Sequence, residues 1–291
     1  MQKRYFLAVV AAFFGYAAHA QQAAFQFSYH WDNPEIGGVS GLEISEDGTE
    51  FWAVTDKGQF LNGIFARGET DEIIDVSLAV NTPIMFFAKG ELLNEPHSDA
   101  EGIARTEDGR LFVSFEQITR IRGLSLENYG TTWIPNAPDF GDLAPNSTLE
   151  ALAVDRRGAV YSIPERSGRL KRPFPVFRVL NGVWDIPFSL PRRDGFLPVG
   201  ADFGPDQKLY VLEREFLGIQ GFRSRVRAFT IKEDEIVDES VMFETDDWTH
   251  DNLEGLSVWT DEQGGIRLTM VSDDNFNPFQ RTEIVEYRIQ Q

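Results

Sequence analysis

One short pattern occurs five times along the chain, and this repeat limits the folds that the sequence can adopt. Each copy has a short apolar strand, then a turn rich in Asp and Gly, then a second strand rich in aromatic and β-branched residues. Turns of this composition between apolar runs are typical of β-hairpins. The five copies begin at residues 39–42, 100–103, 149–152, 199–202 and 253–256. The sequence therefore predicts five similar hairpins.

The spacing of the copies indicates how the hairpins are arranged. Successive copies start roughly 50–60 residues apart, and such a period of short strands is typical of a β-propeller with four-stranded blades. We therefore predict an all-β propeller with five blades, and a sixth blade has room at residues 58–99 or 133–145. The segment 25–30 is expected to complete the last blade beside residues 282–289 and to close the ring. The alternative, a β-sandwich or barrel, does not explain five hairpins in register.

The N-terminal segment has the three parts of a secretory signal peptide. A basic pair at residues 3–4 precedes a short apolar run, and the run ends in Ala-His-Ala at residues 18–20. The run is shorter than the ~20 apolar residues that span a bilayer, and no later segment is apolar enough to do so. We therefore expect residues 1–20 to be removed and residues 21–291 to form a single domain in the periplasm or outside the cell.

The charge and the lack of cysteine limit the partners. The chain has 46 acidic and 27 basic side chains and a net charge of −19. Because binding to nucleic acid or to an anionic membrane depends on an excess of Lys and Arg, we expect neither. Without cysteine there is no disulfide, thiol nucleophile or thiolate metal site. We expect a monomer that acts on a small molecule, with any metal held by oxygen or imidazole ligands.

The repeat is predicted to bring carboxylates together. The two strands of a hairpin are antiparallel, so the start of the first and the end of the second lie at the same end of a blade. In a propeller the first strands line the central channel. Three first strands begin with an acid and five second strands end with one: Glu101, Glu150 and Glu254, then Asp56, Glu116, Glu165, Glu213 and Asp273. The fourth copy has Gly200 where three other copies have the first-strand acid. Its Asp202 lies two residues further on, so we expect it on the same side of the strand. Ser40 offers only a hydroxyl.

Acids that face one opening repel each other unless cations lie between them. Oxygen ligands, with Asn252 and Asn275 as neutral neighbours, suit Ca²⁺ better than zinc. Lys57, Arg166 and Arg214 each follow a second-strand acid, and together with a metal they could hold a phosphate or carboxylate group of a substrate. The alternative is that the acids form salt bridges with these bases and only join the blades.

Other catalytic groups have weaker support. His97 and His250 precede acidic segments and are candidate proton carriers at the same mouth, with exposed loop positions as the alternative. The histidines lack the spacing of a zinc site. The sequence has no G-x-S-x-G motif, so a serine-hydrolase triad is unsupported.

Several motifs resemble those of the phytase-like family described as "esterase-like activity of phytase". They are GVSGL at 38–42, DAEGI at 99–103, LYVLER at 209–214, DNLEG at 251–255 and SDDNF at 272–276, followed by QRT at 280–282. The resemblance extends over essentially the whole chain after the signal peptide, and the last two blocks are the most specific. It implies a secreted or periplasmic bacterial β-propeller with esterase-like or phosphoesterase-like activity. By looser similarity, it also implies kinship with calcium-dependent propeller phytases.

These observations lead to one main hypothesis and two alternatives. The main hypothesis is a metal-assisted hydrolase of ester or phosphoester bonds, in which Glu101, Glu150, Glu254 and Asp273 hold Ca²⁺. The metal would polarise the substrate and activate a water molecule, while the two arginines named above bind its anionic part. The alternatives are a calcium propeller lactonase or arylesterase, and a periplasmic binding propeller without catalysis.

Cleavage after residue 20 gives a mature protein that begins at Gln21, because the Ala-His-Ala segment is typical of a signal-peptidase site. Intact-mass measurement of the exported protein should show the loss of residues 1–20. An exported protein that retains Met1 would contradict this expectation.

Overall fold

Five four-stranded antiparallel sheets form the protein and are the blades of a five-bladed β-propeller. This confirms the predicted all-β fold. The computed structural model describes residues 23–86, 91–93, 97–137, 149–169 and 171–290. Among these residues there is no sixth four-stranded sheet, and no helix is long and apolar enough to cross a membrane. The predicted signal peptide, residues 1–20, lies outside the described residues.

The strands are numbered in chain order, and each blade is given from the channel outwards. Blade 1 contains β2 (Val39–Ile44), β3 (Glu50–Thr55), β4 (Gln59–Arg67) and β5 (Ile73–Pro83). Blade 2 contains β8 (Ala100–Arg105), β9 (Leu111–Phe115), β10 (Arg120–Leu124) and β11 (Thr131–Thr132). Blade 3 contains β12 (Ala151–Val154), β13 (Val160–Ile163), β14 (Phe174–Leu180) and β15 (Val183–Leu190). Blade 4 contains β16 (Leu197–Phe203), β17 (Leu209–Phe216), β18 (Phe222–Lys232) and β19 (Glu235–Glu244). Blade 5 contains β20 (Leu253–Thr260), β21 (Ile266–Ser272), β22 (Glu283–Ile289) and β1 (Ala23–His30).

Among the described residues, two short elements lie outside the blades. A separate hairpin of β6 (Met85–Phe86) and β7 (Glu91–Leu92) follows blade 1, in the interval where a sixth blade had room. A single 3₁₀ turn at Gly218–Gln220 connects the second and third strands of blade 4.

The ring closes through the two ends of the described chain. Strand β1 pairs antiparallel with β22, from Ala23 opposite Ile289 to His30 opposite Glu283. Blade 5 therefore takes its outer strand from the start of the chain and its other three strands from the end. The predicted closure is confirmed, since one blade joins the two ends of the described chain.

The burial of each strand follows its distance from the channel. Every residue of the inner strand β2 is buried, because neighbouring blades cover both faces of the sheet. The outer strand β5 alternates between exposed and partly buried residues, as expected for a strand with one solvated face. Between blades 5 and 1 the core contains Phe51, which stacks on Phe65 with ring centroids 4.6 Å apart, and the neighbouring Trp259. Apolar packing between blades thus stabilises the ring.

Glycine allows the inner strands to approach each other closely. Gly41, Gly102, Gly200 and Gly255 occupy the same level of four inner strands, and blade 3 has Ala151 there. A Cβ added at each of the four glycines would lie within 3 Å of an atom of the next inner strand. The void at this level is only about 10 Å³, too small for a substrate. The channel is therefore closed at mid-height and has two separate openings.

Substitution at this level should destabilise the ring. In Gly200→Ala the new methyl group would lie 2.4 Å from the Glu254 carbonyl oxygen of blade 5, so a backbone must shift. We expect a loss of about 1–3 kcal/mol in the free energy of unfolding, measured by urea denaturation. The matched control is Ala151→Gly, which should cost only about 0.5–1 kcal/mol through chain entropy. Equal effects of the two changes would contradict the close approach.

Candidate functional site

Nine carboxylates are grouped at the opening where the inner strands start, which we call the acid mouth. Each of them interacts electrostatically with other members of the group. They are Asp56, Asp99, Glu101, Glu116, Glu150, Glu165, Glu254, Asp273 and Asp274. Seven of the eight acids predicted from the repeat are therefore brought together. Asp99 and Asp274 were missed. Asp99 lies two residues before Glu101 and Asp274 directly follows Asp273, and both lie in motifs of the family resemblance.

Bulges in the inner strands place one ring of these acids. Glu254 has no partner in the pairing of β20 with β21, and Ser40 is unpaired in the same way in β2. In β8, Glu101 and the following glycine lie opposite a single residue. A bulge of this kind turns a side chain out of the regular alternation, and bulges are common beside active sites. In blade 4 the unpaired residue is Val199, which corrects the prediction that Gly200 occupies this position.

The second ring lies two residues beyond the second-strand residue that pairs with Gly41, Ala151, Gly200 or Gly255, and at the equivalent position of blade 2. By strand register, its members are Asp56, Glu116, Glu165, Arg214 and Asp273. Blade 4 therefore contributes Arg214 where the other four blades contribute an acid. Alignment of the repeat copies predicted Glu213 at this position, but the strand register places Arg214 there, one residue later.

Glu213 belongs to a different structure, which corrects its prediction as a metal ligand. Its side chain is completely buried. Nε of Arg225 and Nε of Arg227 each donate to Oε2 of Glu213, at 2.9 and 2.8 Å, and Arg227 also bonds Oε1. Both carboxylate oxygens are used by guanidinium groups on the neighbouring strand β18. Glu213 thus forms a buried ion pair within blade 4, with Arg225 and Arg227 and not with the neighbouring Arg214 that the salt-bridge alternative named.

Two acids of the mouth are buried among other carboxylates, and the charge of Arg214 offsets part of the repulsion at Glu150. Burial, together with the facing carboxylates of Glu150 and Glu254, raises the pKa of Glu101 well above its ordinary value. Burial and the carboxylates of Glu165 and Glu116 likewise raise the pKa of Glu150. No hydrogen bond from the described residues is formed to either carboxylate. Close, unneutralised carboxylates of this kind favour a bound cation.

Three carboxylates have the spacing of a metal site. One oxygen from each of Asp99, Glu101 and Glu116 lies within 4.8 Å of the other two. Glu116 is held in place by its backbone N–H, which donates to the Asp99 carbonyl at 2.9 Å. These residues come from the inner strand and the second strand of blade 2. They are the best candidate metal ligands among the described residues.

Arg214 reaches into the group, and its guanidinium is already engaged by protein groups. Its Nη1 donates to Oε1 of Glu254 and to Oδ1 of Asn252, and its Nη2 lies 3.4 Å from Oε1 of Glu165. Nδ2 of Asn252 donates to the same Glu254 oxygen at 2.9 Å. Glu254 is thus fixed by an arginine and an amide. Asn252 lies at the mouth as predicted, but its side chain bonds protein groups.

A second part of the acid mouth lies between blades 5 and 1. Burial, followed by the carboxylates of Glu254, Asp56 and Asp274, raises the pKa of Asp273 to about 8. Oδ1 of Asp56 is buried and has no hydrogen-bond partner among the described residues. Asn275 is exposed in the following loop, and its backbone N–H donates to Oδ1 of Asp273 at 2.7 Å. Asn275 therefore holds this acid through its backbone.

The two other predicted bases lie at the rim. Lys57 is about half exposed, with Nζ 3.4 Å from Oδ2 of Asp56. Arg166 is 61 % exposed, with Nε 3.1 Å from Oε2 of Glu165. Both therefore pair with the acid before them, as the salt-bridge alternative expected. Because exposed pairs are weak, these two bases can exchange partners with an incoming anion more easily than Arg214.

His250 is not part of the mouth, which corrects its prediction as a proton carrier. Its ring is buried against Phe25 and Tyr287 on the outer strands of blade 5, and Nε2 lies 2.9 Å from the Tyr287 hydroxyl. Burial lowers the pKa of His250. Its nearest acid is Glu283, with 3.8 Å between Nδ1 and Oε1. His250 therefore packs against aromatic side chains of blade 5.

Asp202 lies at the opposite opening of the channel, not at the acid mouth. It lines a cavity of about 430 Å³ together with Glu43. Oδ2 of Asp202 accepts a hydrogen bond from the Val258 N–H of blade 5 at 2.7 Å, and Oε1 of Glu43 accepts one from the Arg105 N–H of blade 2 at 3.1 Å. These acids therefore join neighbouring inner strands, and Asp202 is too far along its strand to reach the mouth.

The fold and this site define a β-propeller with an acidic centre at one opening. The family model for phytase-like proteins, described as "esterase-like activity of phytase", matches residues 34–276. The chain therefore belongs to this family, which confirms the resemblance seen in the motifs. A comparison with curated proteins gives no match.

Solved structures of other proteins are similar to the chain at low sequence identity. The PQQ-bound aldose sugar dehydrogenase of Streptomyces coelicolor has a TM-score of 0.51 and 10 % identity, covering 94 % of this chain and 100 % of that one. Virginiamycin B lyase of Staphylococcus aureus has a TM-score of 0.48 and 12 % identity, covering 92 % and 100 %. Only the first score exceeds 0.5. At such identity it supports the fold and nothing finer.

The acid mouth predicts how stability depends on pH in metal-free protein. The pKa of Asp273 is about 8 in the folded protein against 3.8 ordinarily, so the folded state binds more protons than the unfolded state between these values. Stability should therefore fall as pH rises from about 4 to 8. Asp273→Asn should make this fall shallower, measured as melting temperature against pH in the presence of a chelator. An unchanged pH profile in Asp273→Asn would contradict the assignment.

Proposed function

We propose that the protein is a metal-assisted hydrolase of ester or phosphoester bonds, with its active site at the acid mouth. The observation that carries the proposal is the group of Asp99, Glu101 and Glu116, whose oxygens lie within 4.8 Å of one another. Membership of a family described by esterase-like activity supports the hydrolase class. The wider excess of negative charge at the mouth supports the need for a cation.

The residues present fit Ca²⁺. The donors are carboxylate oxygens, with no thiolate and no histidine cluster, and a hard cation with 6–8 oxygen ligands prefers such a set. Glu101 and Glu150 accept no hydrogen bond from the described residues, and the buried Oδ1 of Asp56 has no partner, so oxygens remain available. Asp99, Glu101 and Glu116 would hold the ion. When bound, Ca²⁺ supplies charge that polarises the substrate carbonyl or phosphoryl and lowers the pKa of water.

The other residues of the mouth have separate roles in this proposal. Glu150 precedes the inner strand of the next blade and has no fixed partner, so its carboxylate is the group that moves a proton between water and the leaving oxygen. Glu254 is held by Arg214 and Asn252 and orients the substrate. Because Arg214 is occupied by three protein groups, it acts as a positioning residue. Lys57 and Arg166 at the rim remain the bases that can contact an anionic part of a substrate.

The place of action follows from the N-terminal sequence. We propose that the protein acts in the periplasm or outside the cell, because residues 1–20 have the composition of a signal peptide. Free Ca²⁺ is generally abundant in such compartments, which suits the low affinities of extracellular calcium modules. The partner of the acid mouth is then a small ester or phosphoester. A lactone or aryl ester is the alternative substrate.

Calcium should stabilise the protein through Glu101. A ligand that binds only the folded state at about 100 times its Kd adds roughly 2.7 kcal/mol to the free energy of unfolding. Millimolar CaCl₂ should therefore raise the melting temperature, and Glu101→Gln should remove most of this shift and abolish turnover. Glu107→Gln is the matched control, since Glu107 lies at the opposite opening and is 69 % exposed. It should behave as the wild type.

Two outcomes would overturn the proposal. If NaCl at matched ionic strength raises the melting temperature as much as CaCl₂, the acids form salt bridges and hold no specific ion. If Glu101→Gln binds less calcium but keeps full turnover on aryl esters and phosphoesters, the metal is structural. Calcium binding in a wild type that hydrolyses none of these substrates would indicate a binding propeller without catalysis.

A further inference from the structure

Large apolar side chains are exposed around the acid mouth. Five of them lie on this face of blades 4 and 5, and we call them the apolar rim: Phe216, at the end of β17, and Ile219, Trp248, Phe276 and Phe279, in the connections between strands. They are 57–94 % exposed. The five turns between first and second strands at the opposite opening contain no exposed large hydrophobic residue. Exposed apolar side chains thus border the acid mouth, and these five turns have none.

Phe276 is held beside the acid mouth by a strained turn. The Asn277 N–H donates to the Asp274 carbonyl at 2.8 Å, and the two central residues of this turn, Asn275 and Phe276, have φ of 48° and 50°. Such turns favour Asn followed by Gly, because bulky residues are disfavoured at positive φ. The Phe276 ring lies 5.4 Å from Nζ of Lys57, which pairs with Asp56 of the mouth. The ring therefore borders the acids.

Trp248 lies on the same face, in the connection between β19 of blade 4 and β20 of blade 5. It also has a positive φ, 61°, and its indole is 70 % exposed. The indole lies against Gly221, where an added Cβ would approach it to 2.9 Å. Phe222 directly follows Gly221, and its ring lies 5.7 Å from the Arg214 guanidinium. That guanidinium donates a hydrogen bond to Glu254. A bond of 2.6 Å from Nε of Arg223 to Oδ1 of Asp247 fixes the loop.

Two bulky aromatic residues in the disfavoured left-handed conformation thus flank one acidic centre. Backbone strain of this kind costs of order 1–3 kcal/mol and tends to persist at functional sites. Each ring lies against glycine, Phe276 against Gly37 and Gly38 and Trp248 against Gly221, yet most of each side chain is exposed. A substrate group that covers them would bury apolar area and stabilise the complex.

We infer that the acid mouth takes an uncharged ester that carries an apolar group, and that Trp248 and Phe276 contact this group. The inference rests on the proposed hydrolase function and names its substrate class. It favours a neutral ester over a polyphosphate for two reasons. Nine acids of the described residues lie at the mouth, and the buried bases beside them, Arg214 and Arg120, are engaged by protein groups. A highly charged substrate would also leave the apolar rim exposed to water.

The test uses an acyl series of p-nitrophenyl acetate, butyrate and octanoate, with p-nitrophenyl phosphate as the charged substrate, all in CaCl₂. The wild type should show a kcat/KM about 10-fold higher for octanoate than for acetate, less than full burial of about six methylenes would give. Trp248→Asn and Phe276→Asn should remove most of this gain through KM and leave the acetate rate nearly unchanged. Asn tolerates positive φ, so neither variant should melt at a lower temperature. Ile74→Ala, an equally exposed apolar residue on the outer strand of blade 1, is the control.

The outcomes separate this inference from the proposed function. Hydrolysis of all esters at one rate, an unchanged octanoate preference in both Asn variants, or activity on the phosphate alone would overturn the inference while the hydrolase function stands. If the wild type hydrolyses nothing, the proposed function fails, and binding of the neutral probe N-phenyl-1-naphthylamine then decides. Binding that is lost in Trp248→Asn and Phe276→Asn would support an apolar ligand at the rim, and binding that is absent or unchanged would overturn it.

Discussion

The close approach of five inner strands at one level is the constraint on which the rest of the structure depends. Glycine at this level in four blades allows the backbones of neighbouring inner strands to come into contact. The ring is therefore narrow enough to close the channel at mid-height. The two openings are therefore separate sites with different chemistry. The same narrow ring brings carboxylates from four blades close enough to repel each other, because the inner strands start side by side.

Blade 4 differs from the other blades, and this difference gives the site its polarity. At the two positions where an acid is most common it has Val199 and Arg214, and its next acid, Glu213, is turned into a buried pair with Arg225 and Arg227. Arg214 fixes Glu254 and balances part of the charge on the side of blades 3 to 5. In the proposed function the cation lies beside blade 2, where Asp99, Glu101 and Glu116 are grouped, and the substrate lies beside blades 4 and 5, where the apolar rim is.

The features that could be predicted from the sequence were those that recur in the copies of the repeat. Hairpin turns, the five-blade ring, its closure by the N-terminal strand and most acids of the mouth could be predicted, since each depends on local pattern and on antiparallel pairing. The errors arose at bulges and strand ends. A bulge adds one unpaired residue, so the alignment assigned Gly200 and Glu213 to positions that belong to Val199 and Arg214. His250 was assigned from its acidic neighbours, but its ring packs on residues distant in sequence.

The sequence by itself determined the propeller, the family and the excess of acids at one opening, because these follow from a repeated order of residue types along the chain. Only the tertiary structure decided which acids are neutralised. Whether a carboxylate meets an arginine, an amide or another carboxylate depends on contacts between blades that are far apart in sequence. That difference separates Glu213 and Glu254, which are held by protein partners, from Glu101 and Glu150, whose carboxylates accept no hydrogen bond from the described residues.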